Sequence, residues 1–300
     1  MFAGFDLRFV DTGDVRLRLR VGGSGPPVLL LHGHPQTHVM WHLVAPLLAE
    51  RCTVVAADLR GYGDSSVPLT SANHSPYSKR TMAADQVRLM QQLGFDTFAV
   101  VGHDRGGRVA YRLALDHPDR VSALAVLDIV PTAEMWRFAE RAGKDFGLVD
   151  WHWFFLAQPH DLPERVITAA PERYYFGGGR DDRFDPEALA DYRRCVSDPA
   201  TVHAMCEDYR AGAGIDDELD EADRAAGRRI TCPVLALWSA RDELPRWFDV
   251  LEVWRCWADD VRGFGVDAGH FLAEEAPEVV GPALRDFLTG DEGFSPRAEA

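Results

Sequence analysis

Short apolar runs that end at glycine or aspartate recur along the chain and predict buried strands. They are "PPVLLLHG" (26–33), "CTVVAAD" (52–58), "TFAVVGH" (97–103), "VSALAVLD" (121–128), "CPVLALW" (232–238) and "VRGFGVD" (261–267). Helical patterns such as "WHLVAPLLAER" (41–51) and "TMAADQVRLMQQLG" (81–94) separate them. The stretch "VRLRLRV" (15–21) alternates, which predicts a surface strand. Strands that alternate with helices indicate an α/β protein with a mostly parallel sheet.

This alternation stops near Pro131 and resumes near Ile230. The intervening chain is rich in aromatic and charged residues, and its pattern is helical. We therefore predict a core formed by residues 1–130 and 229–300, with a helical lid at 131–228 inserted between two strands. The glycine run "GGGRDD" (177–182) is interpreted as a lid loop, because it follows no strand and lacks the Lys-Ser/Thr ending of a phosphate-binding loop.

The composition limits which binding partners and which cellular compartment are expected. The 300 residues carry a formal net charge of −15, which argues against nucleic acid or an anionic membrane as a partner. Five widely spaced cysteines without a Cys-x-x-Cys pair predict neither a disulfide framework nor a zinc site. No signal peptide and no apolar run of membrane-spanning length is found. We expect a cytoplasmic protein.

The stretch "VVGHDRGGRVA" (100–110) carries the most specific chemistry. It reads as a strand, a Gly-x-Asp-x-Gly turn and a helix start, which is the elbow that exposes a nucleophile in α/β-hydrolases. The central residue is Asp104 where many hydrolases have serine. A carboxylate suits attack on saturated carbon, with displacement of a leaving group and formation of an alkyl ester.

Reactive groups of open α/β sheets gather at the carboxyl ends of the strands. Asp104, Asp128 and His270 follow such strands in the order nucleophile, acid, base. Water activated by His270 would then attack the carbonyl of the Asp104 ester. Asp242, after the next strand, is the alternative acid.

Arginines stand directly after the nucleophile and four residues after it. Arg105 and Arg108 lie three residues apart at a helix start, where two guanidinium groups can hold a carboxylate. Alternatively, Arg108 pairs with an acid such as Asp58 or projects into solvent. The backbone N–H groups of His34 and Arg105 are the expected oxyanion donors. We expect no metal: the histidines of "HGHPQTHVMWH" belong to an oxyanion loop and no carboxylate or cysteine completes a ligand set.

Several motifs resemble one known family, the haloacetate (fluoroacetate) dehalogenases of the α/β-hydrolase superfamily. They are "GHDRGGR", "LLLHGHPQTHVMWHLVAPLLAE", "ADLRGYGDSS", "LAVLDIVPT", "WHWFFLAQP" and "CEDYRAGA". The resemblance implies an α/β-hydrolase fold, with a mostly parallel eight-stranded sheet flanked by helices and an inserted helical cap. It also implies that no metal or organic cofactor takes part. Members of the family are often homodimers, although no segment of this chain stands out as an interface.

The resemblance assigns roles residue by residue. It implies a triad, a carboxylate clamp and a halide pocket, namely Asp104 with Asp128 and His270, Arg105 with Arg108, and His152 with Trp153 and Tyr209. The N–H and O–H groups of the last three could stabilise a departing halide. A simpler alternative is that "WHWFF" only packs the lid, as we expect for Trp151, Phe154 and Phe155. Trp41 could line the pocket or pack beneath it.

These observations predict the hydrolysis of short 2-haloacids, such as haloacetate and especially fluoroacetate, to the hydroxy acid and halide. The partners would be a small anionic haloacid and water. One alternative is an epoxide hydrolase, which shares the aspartate nucleophile but usually has two lid tyrosines and an aromatic residue in place of Arg105. A non-catalytic receptor on the same fold is a third interpretation, against which the complete triad argues.

Overall fold

The computed structural model describes residues 1–177 and 181–290. Its eight strands are β1 (Asp6–Asp11), β2 (Arg16–Gly23), β3 (Pro27–Leu31), β4 (Thr53–Ala57), β5 (Phe98–His103), β6 (Val121–Leu127), β7 (Val234–Ser239) and β8 (Val261–Val266). They form one sheet in the order β1-β2-β4-β3-β5-β6-β7-β8. Strand β2 is antiparallel to both neighbours, and all other neighbouring strands are parallel. The predicted fold class is confirmed.

Helices connect and flank these strands. They are α1 (Ala45–Leu48), α2 (Lys79–Gln92), α3 (Asp104–Asp116), α4 (Thr132–Ala142), α5 (Lys144–Val149), α6 (Trp151–Leu156), α7 (Leu162–Ala169), α8 (Pro171–Tyr175), α9 (Pro186–Val196), α10 (Pro199–Gly212), α11 (Ile215–Ala225), α12 (Leu244–Trp247), α13 (Val250–Trp257), α14 (Leu272–Glu275) and α15 (Pro277–Thr289). Three short 3₁₀ turns cover His38–Trp41, Ser75–Tyr77 and Asp181–Arg183. Within the described part of the chain, no helix is both long and apolar enough to span a bilayer.

Two elements differ from the sequence patterns. Strand β1 was not predicted, because it is a short, almost entirely exposed edge strand without the apolar run that marks the buried strands. The helix expected over 41–51 is only a 3₁₀ turn followed by the four-residue helix α1. A continuous helix there would place Pro46 in its interior, where the ring clashes with the preceding turn. Pro46 instead lies in the first turn of α1.

Between β6 and β7 the described part of the chain contains helices α4–α11 and one 3₁₀ turn but no strand, so these helices form one inserted segment. Helix α10 is its centre and contacts α6, α7, α9 and α11. One hydrophobic cluster continues from the sheet into this segment and includes Leu127, Val130, Trp153 and Tyr209. We propose that residues 131–228 form a cap over the carboxyl ends of the strands. Half of the predicted lid loop at 177–182, residues 178–180, lies outside the described residues.

Candidate active site

Strand β5 and helix α3 meet in a sharp turn at Asp104. The backbone of Asp104 has φ 45°, a left-handed conformation that non-glycine residues seldom adopt. The turn depends on two glycines. A Cβ on Gly102 would clash with the carbonyl oxygen of Gly106, and a Cβ on Gly106 would clash with the carbonyl oxygen of His32. The sequence therefore folds into an elbow that raises the Asp104 carboxylate above the end of the sheet.

The Asp104 carboxylate is surrounded by donors and positive groups. Its Oδ2 atom accepts a hydrogen bond from the backbone N–H of His34 at 2.9 Å. Burial opposes its ionisation, but His270, His103 and the neighbouring arginines hold its pKa well below the usual range. The N–H of Arg105 lies in the first turn of α3, where backbone N–H groups lack partners within the helix. The side chain is thus an ionised carboxylate near two expected oxyanion donors.

The candidate base and acid lie beside it. Nδ1 of His270 is 2.6 Å from Oδ2 of Asp128, whose Oδ1 accepts the backbone N–H of Ser239 at 2.8 Å. Burial opposes protonation of His270, but the hydrogen bond and charge of Asp128, together with the charge of Asp104, raise its pKa to about 9. Asp242 faces the same cavity, and burial and Asp128 raise its pKa. The contact to Nδ1 favours Asp128 over Asp242 as the acid.

The two acidic groups and the imidazole are close enough together to resemble a metal site. Asp128, Asp242 and His270 each offer an atom within 4.8 Å of the others. Because Nδ1 of His270 is already hydrogen-bonded to Asp128, the arrangement is that of an oriented base. We therefore interpret it as the acid–base pair of a hydrolase rather than as a ligand set.

The two arginines after the elbow have different surroundings. Arg108 lines the cavity, and its Nη1 donates to the carbonyl of Val130 at 3.1 Å and to Oγ1 of Thr132 at 3.2 Å. Arg108 is buried and does not project into solvent. Arg105, expected to hold the substrate carboxylate together with Arg108, is not among the residues that line the cavity. It forms a fork with Asp208, at 3.0 Å from Nε and 2.9 Å from Nη2. This partner was not anticipated from the sequence.

Three aromatic side chains of the cap reach the same cavity. His152 and Trp153 come from α6 and Tyr209 from α10, and all three line it. The Tyr209 ring lies 5.8 Å from His152 and 6.2 Å from Trp153 between ring centres. Burial lowers the pKa of His152 to about 4, so its ring is neutral at neutral pH. The structure therefore brings the three residues of the expected halide pocket together.

The remaining aromatic residues have other environments. Trp151 and Phe154 are exposed at the cap surface rather than facing the cavity. Trp41 is completely buried in the core and does not line the cavity, so it packs beneath the site.

The cavity has a volume of about 420 Å³. Besides the residues expected from the sequence, it is lined by Asp150, Arg183 and Trp247. Asp150 precedes the "WHW" motif, and its Oδ1 is 3.8 Å from Nδ1 of His152. Burial raises the pKa of Asp150 to about 6, against the effect of His270 and Arg108. No sequence pattern indicated these three residues, since nothing local distinguishes a cavity-facing residue of the lid or of α12 from a surface one.

Comparison with known proteins agrees with this architecture. Residues 26–277 match the family model of the α/β hydrolase fold. A fluoroacetate dehalogenase of Burkholderia sp is 48% identical, with 96% of this chain and 95% of the relative covered. A soluble epoxide hydrolase of Corynebacterium sp. (strain C12) is 35% identical, with coverage of 91% and 93%. A solved structure from Nostoc sp PCC 7120, described as an α/β hydrolase, is 54% identical at a TM-score of 0.93, with coverage of 96% and 99%.

An aspartate on a nucleophile elbow, facing a histidine–aspartate pair beneath a helical segment, defines a hydrolase site. The chain belongs to the α/β-hydrolase family, and the resemblance to the haloacetate dehalogenases within it is confirmed.

Proposed function

We propose that the protein hydrolyses the carbon–halogen bond of short 2-haloacids, with haloacetate, including fluoroacetate, as the substrate and glycolate as the product. The observation that carries the proposal is the content of one cavity. It holds an ionised nucleophile, a buried arginine and a cluster of aromatic donors, namely Asp104, Arg108, His152, Trp153 and Tyr209. Such a cavity fits a small anion with a leaving group at its far end.

In the first step, Asp104 displaces the halide. The N–H of His34 holds Oδ2, which leaves Oδ1 to attack the carbon next to the substrate carboxylate. A bond forms between Oδ1 and this carbon while the carbon–halogen bond breaks, and the halide leaves with the electron pair. Displacement is in line, so a chiral carbon inverts. Donors on His152, Trp153 and Tyr209 lower the barrier because they meet the charge that develops on the halogen.

In the second step, water hydrolyses the ester. His270 takes a proton from water, and the hydroxide attacks Cγ of Asp104. The backbone N–H groups of His34 and Arg105 stabilise the oxyanion that forms. The tetrahedral intermediate expels the alkoxide, which takes the proton from the His270 imidazolium to give glycolate. Asp104 keeps one oxygen from water, and the second proton of that water is released to solvent. Asp128 orients His270 through the 2.6 Å hydrogen bond at Nδ1.

The role of the histidine changes between the two steps. In the resting site the negative charges around it raise the pKa of His270 to about 9. Esterification removes the charge of Asp104, so the pKa of His270 falls when a neutral base is required. The nucleophile therefore controls the protonation state of its own base.

Epoxide hydrolysis is the second candidate, because a soluble epoxide hydrolase is among the relatives. That reaction needs acids that protonate the epoxide oxygen, usually two lid tyrosines. Among the described residues, Tyr209 is the one tyrosine that lines the cavity. The hydroxyl of Tyr175 donates instead to Sδ of Met205 at 3.4 Å. Together with the buried Arg108, this favours a haloacid over an epoxide.

Halide release tests the proposal. Purified protein is incubated with fluoroacetate, with chloroacetate and with styrene oxide, and Asp104→Asn serves as the control. We expect fluoride and chloride from the wild type and neither from the variant. Chloride alone would restrict the activity to weaker carbon–halogen bonds. Diol from styrene oxide without any halide would establish the epoxide hydrolase instead.

A further inference from the structure

Three arginines lie along one side of α3, at positions 105, 108 and 112. Spacings of three and four residues place them on the same face of the helix. All three are buried. Buried guanidinium groups need compensating partners, so the contacts of each one indicate what its charge is used for.

The two outer arginines are bound by aspartates of the cap. Arg112 donates from Nη2 to Asp220 at 2.5 Å and also pairs with Asp223. Arg105 donates from Nε and Nη2 to the carboxylate of Asp208, and from Nη2 to the carbonyl oxygen of Asp208 at 2.8 Å. The positive charges of both outer residues are therefore balanced within the protein.

Arg108, between them, has neutral acceptors. It donates to the carbonyl of Val130 and the hydroxyl of Thr132, and it forms no ion pair with any carboxylate in the described part of the chain. Burial and the charge of Arg105 lower its pKa. Arg108 thus brings to the cavity that it lines a positive charge that no ion pair among the described residues neutralises, and this charge acts on the carboxylate of Asp104.

The guanidinium group of Arg105 is held in one orientation by its contacts. With Nε and Nη2 bound to Asp208, Nη1 is buried and has no hydrogen-bond partner. The guanidinium also lies 4.2 Å from the centre of the Tyr209 ring. Gly212, one turn after Asp208, leaves room for it, since a Cβ there would be 3.0 Å from Nη2.

Asp208 is itself fixed by its surroundings. Its Oδ2 accepts the hydroxyl of Tyr62 at 2.7 Å, and Lys79 binds its Oδ1. Asp216 accepts the backbone N–H of Lys79 at 2.8 Å. Against burial, Arg105 and Lys79 keep the pKa of Asp208 well below its usual range. The carboxylate is thus a rigid, ionised anchor.

We propose that Asp208 is the positioning residue for Arg105. By binding Nε and Nη2, it leaves Nη1 as an unpaired donor beside the ring of Tyr209, which lines the cavity, and this donor would hold the substrate carboxylate. Arg108, which lines the cavity itself, carries the charge that attracts the anion. Because Asp208 and Tyr209 are adjacent on α10, one cap helix aligns both the carboxylate clamp and a halide donor. This inference rests on the proposed function, since it concerns how the same haloacid is held.

The test is a double-mutant cycle with chloroacetate. KM and kcat are measured for the wild type, Asp208→Asn, Arg105→Met and the double variant. We expect Asp208→Asn to raise KM about tenfold or more, with a smaller change in kcat, because a charge-assisted contact to the substrate is misplaced. In the Arg105→Met background the same substitution should change KM less than about twofold.

The sign of the effect separates positioning from charge balance. If Asp208 merely cancelled positive charge, its removal would strengthen the attraction for the anion and lower KM. An unchanged or lowered KM in Asp208→Asn, or a full effect in the Arg105→Met background, would overturn the inference while halide release by the wild type continued. A wild type that releases no halide would overturn the proposed function and this inference together.

A matched control addresses stability. Asp85 forms a comparable buried fork with Arg60, at 2.6 Å from Nε and 2.5 Å from Nη2. Arg60 also bonds the carbonyl of Pro76, which does not line the cavity, whereas Arg105 lies against the lining residue Tyr209. Asp85→Asn should lower the melting temperature as Asp208→Asn does, without changing KM. Equal KM increases in both variants would indicate a general structural effect and would overturn the positioning role.

A second variant moves Arg105 without removing any charge. In Gly212→Ala the added methyl group displaces Nη2 by a few tenths of an ångström, so KM should rise severalfold in a folded protein. Gly147→Ala is the control, because a Cβ at this helical glycine meets no atom within 4 Å. If Asp208→Asn does not fold, this pair decides the question, and equal KM values for both glycine variants would overturn the inference.

Discussion

Nδ1 of His270 lies 2.6 Å from Oδ2 of Asp128, whereas no hydrogen bond joins His270 to Asp242 among the contacts of the described residues. Asp128 has φ 54°, so its backbone is held in an uncommon conformation that turns the side chain toward the histidine. The side chain of Ser239 fixes the Asp242 turn instead, through the N–H of Asp242 at 2.9 Å. The two acids that the sequence left open therefore have different partners.

This relationship predicts a contrast between two matched variants. Asp128→Asn should slow hydrolysis of the ester by roughly 10²- to 10⁴-fold, because the imidazole loses its orientation and its charge partner. The alkyl-enzyme should accumulate and be detectable by intact-protein mass spectrometry after mixing with chloroacetate. The Asp242→Asn variant should turn over chloroacetate without accumulating the alkyl-enzyme. The reverse pattern would assign the acid to Asp242.

The coupling between nucleophile and base predicts a shift in titration. Asp104→Asn imitates the charge change of ester formation, so the pKa of His270 should fall from about 9 toward its ordinary value. The histidine Cε1 resonance, followed by NMR across pH 5–10, measures this. Since the raised pKa of His270 belongs to the folded state, its contribution to stability is present below about pH 6.5 and is lost as the pH rises through about 9. An unchanged pKa in the variant would refute the coupling.

Asp150 predicts a pH dependence of substrate binding. Burial raises its pKa to about 6, so above that pH an additional negative charge faces the anionic substrate in the cavity. KM for chloroacetate should rise as the pH increases through about 6, and Asp150→Asn should remove this rise and lower KM at neutral pH. Asp145→Asn, at an exposed position of α5, is the control. A KM profile that is the same in the wild type and Asp150→Asn would contradict the prediction.

The proposed halide pocket predicts that removing one of its donors lowers kcat more for fluoroacetate than for chloroacetate. Tyr209→Phe and Trp153→Phe each remove a donor while an aromatic ring remains. Fluoride concentrates charge and is the poorer leaving group, so kcat for fluoroacetate should fall about tenfold to a thousandfold, and kcat for chloroacetate should fall less. Equal losses for both substrates would indicate that these residues only pack the cap. Phe154→Leu, at an exposed cap position, should change neither.

Much of this site could be predicted from the sequence because its signals are local. The elbow at Asp104 requires glycines at fixed offsets, and strand ends place Asp128 and His270 in chain order. The partner of Arg105 could not be predicted in this way. Asp208 lies 103 positions away along the chain, and only the packing of α10 on α3 brings them together. Asp150 was missed for a similar reason, since the lid has no sheet register that fixes which residues face the cavity.

In the proposed mechanism, Asp104 attacks the substrate and water then attacks Asp104. A single turnover of excess enzyme with chloroacetate in ¹⁸O-labelled water tests it directly, followed by mass spectrometry of glycolate and of the peptide that contains Asp104. We predict unlabelled glycolate and one labelled oxygen in the Asp104 carboxylate. Labelled glycolate with an unlabelled peptide would mean that water displaces the halide directly, and would contradict the covalent mechanism.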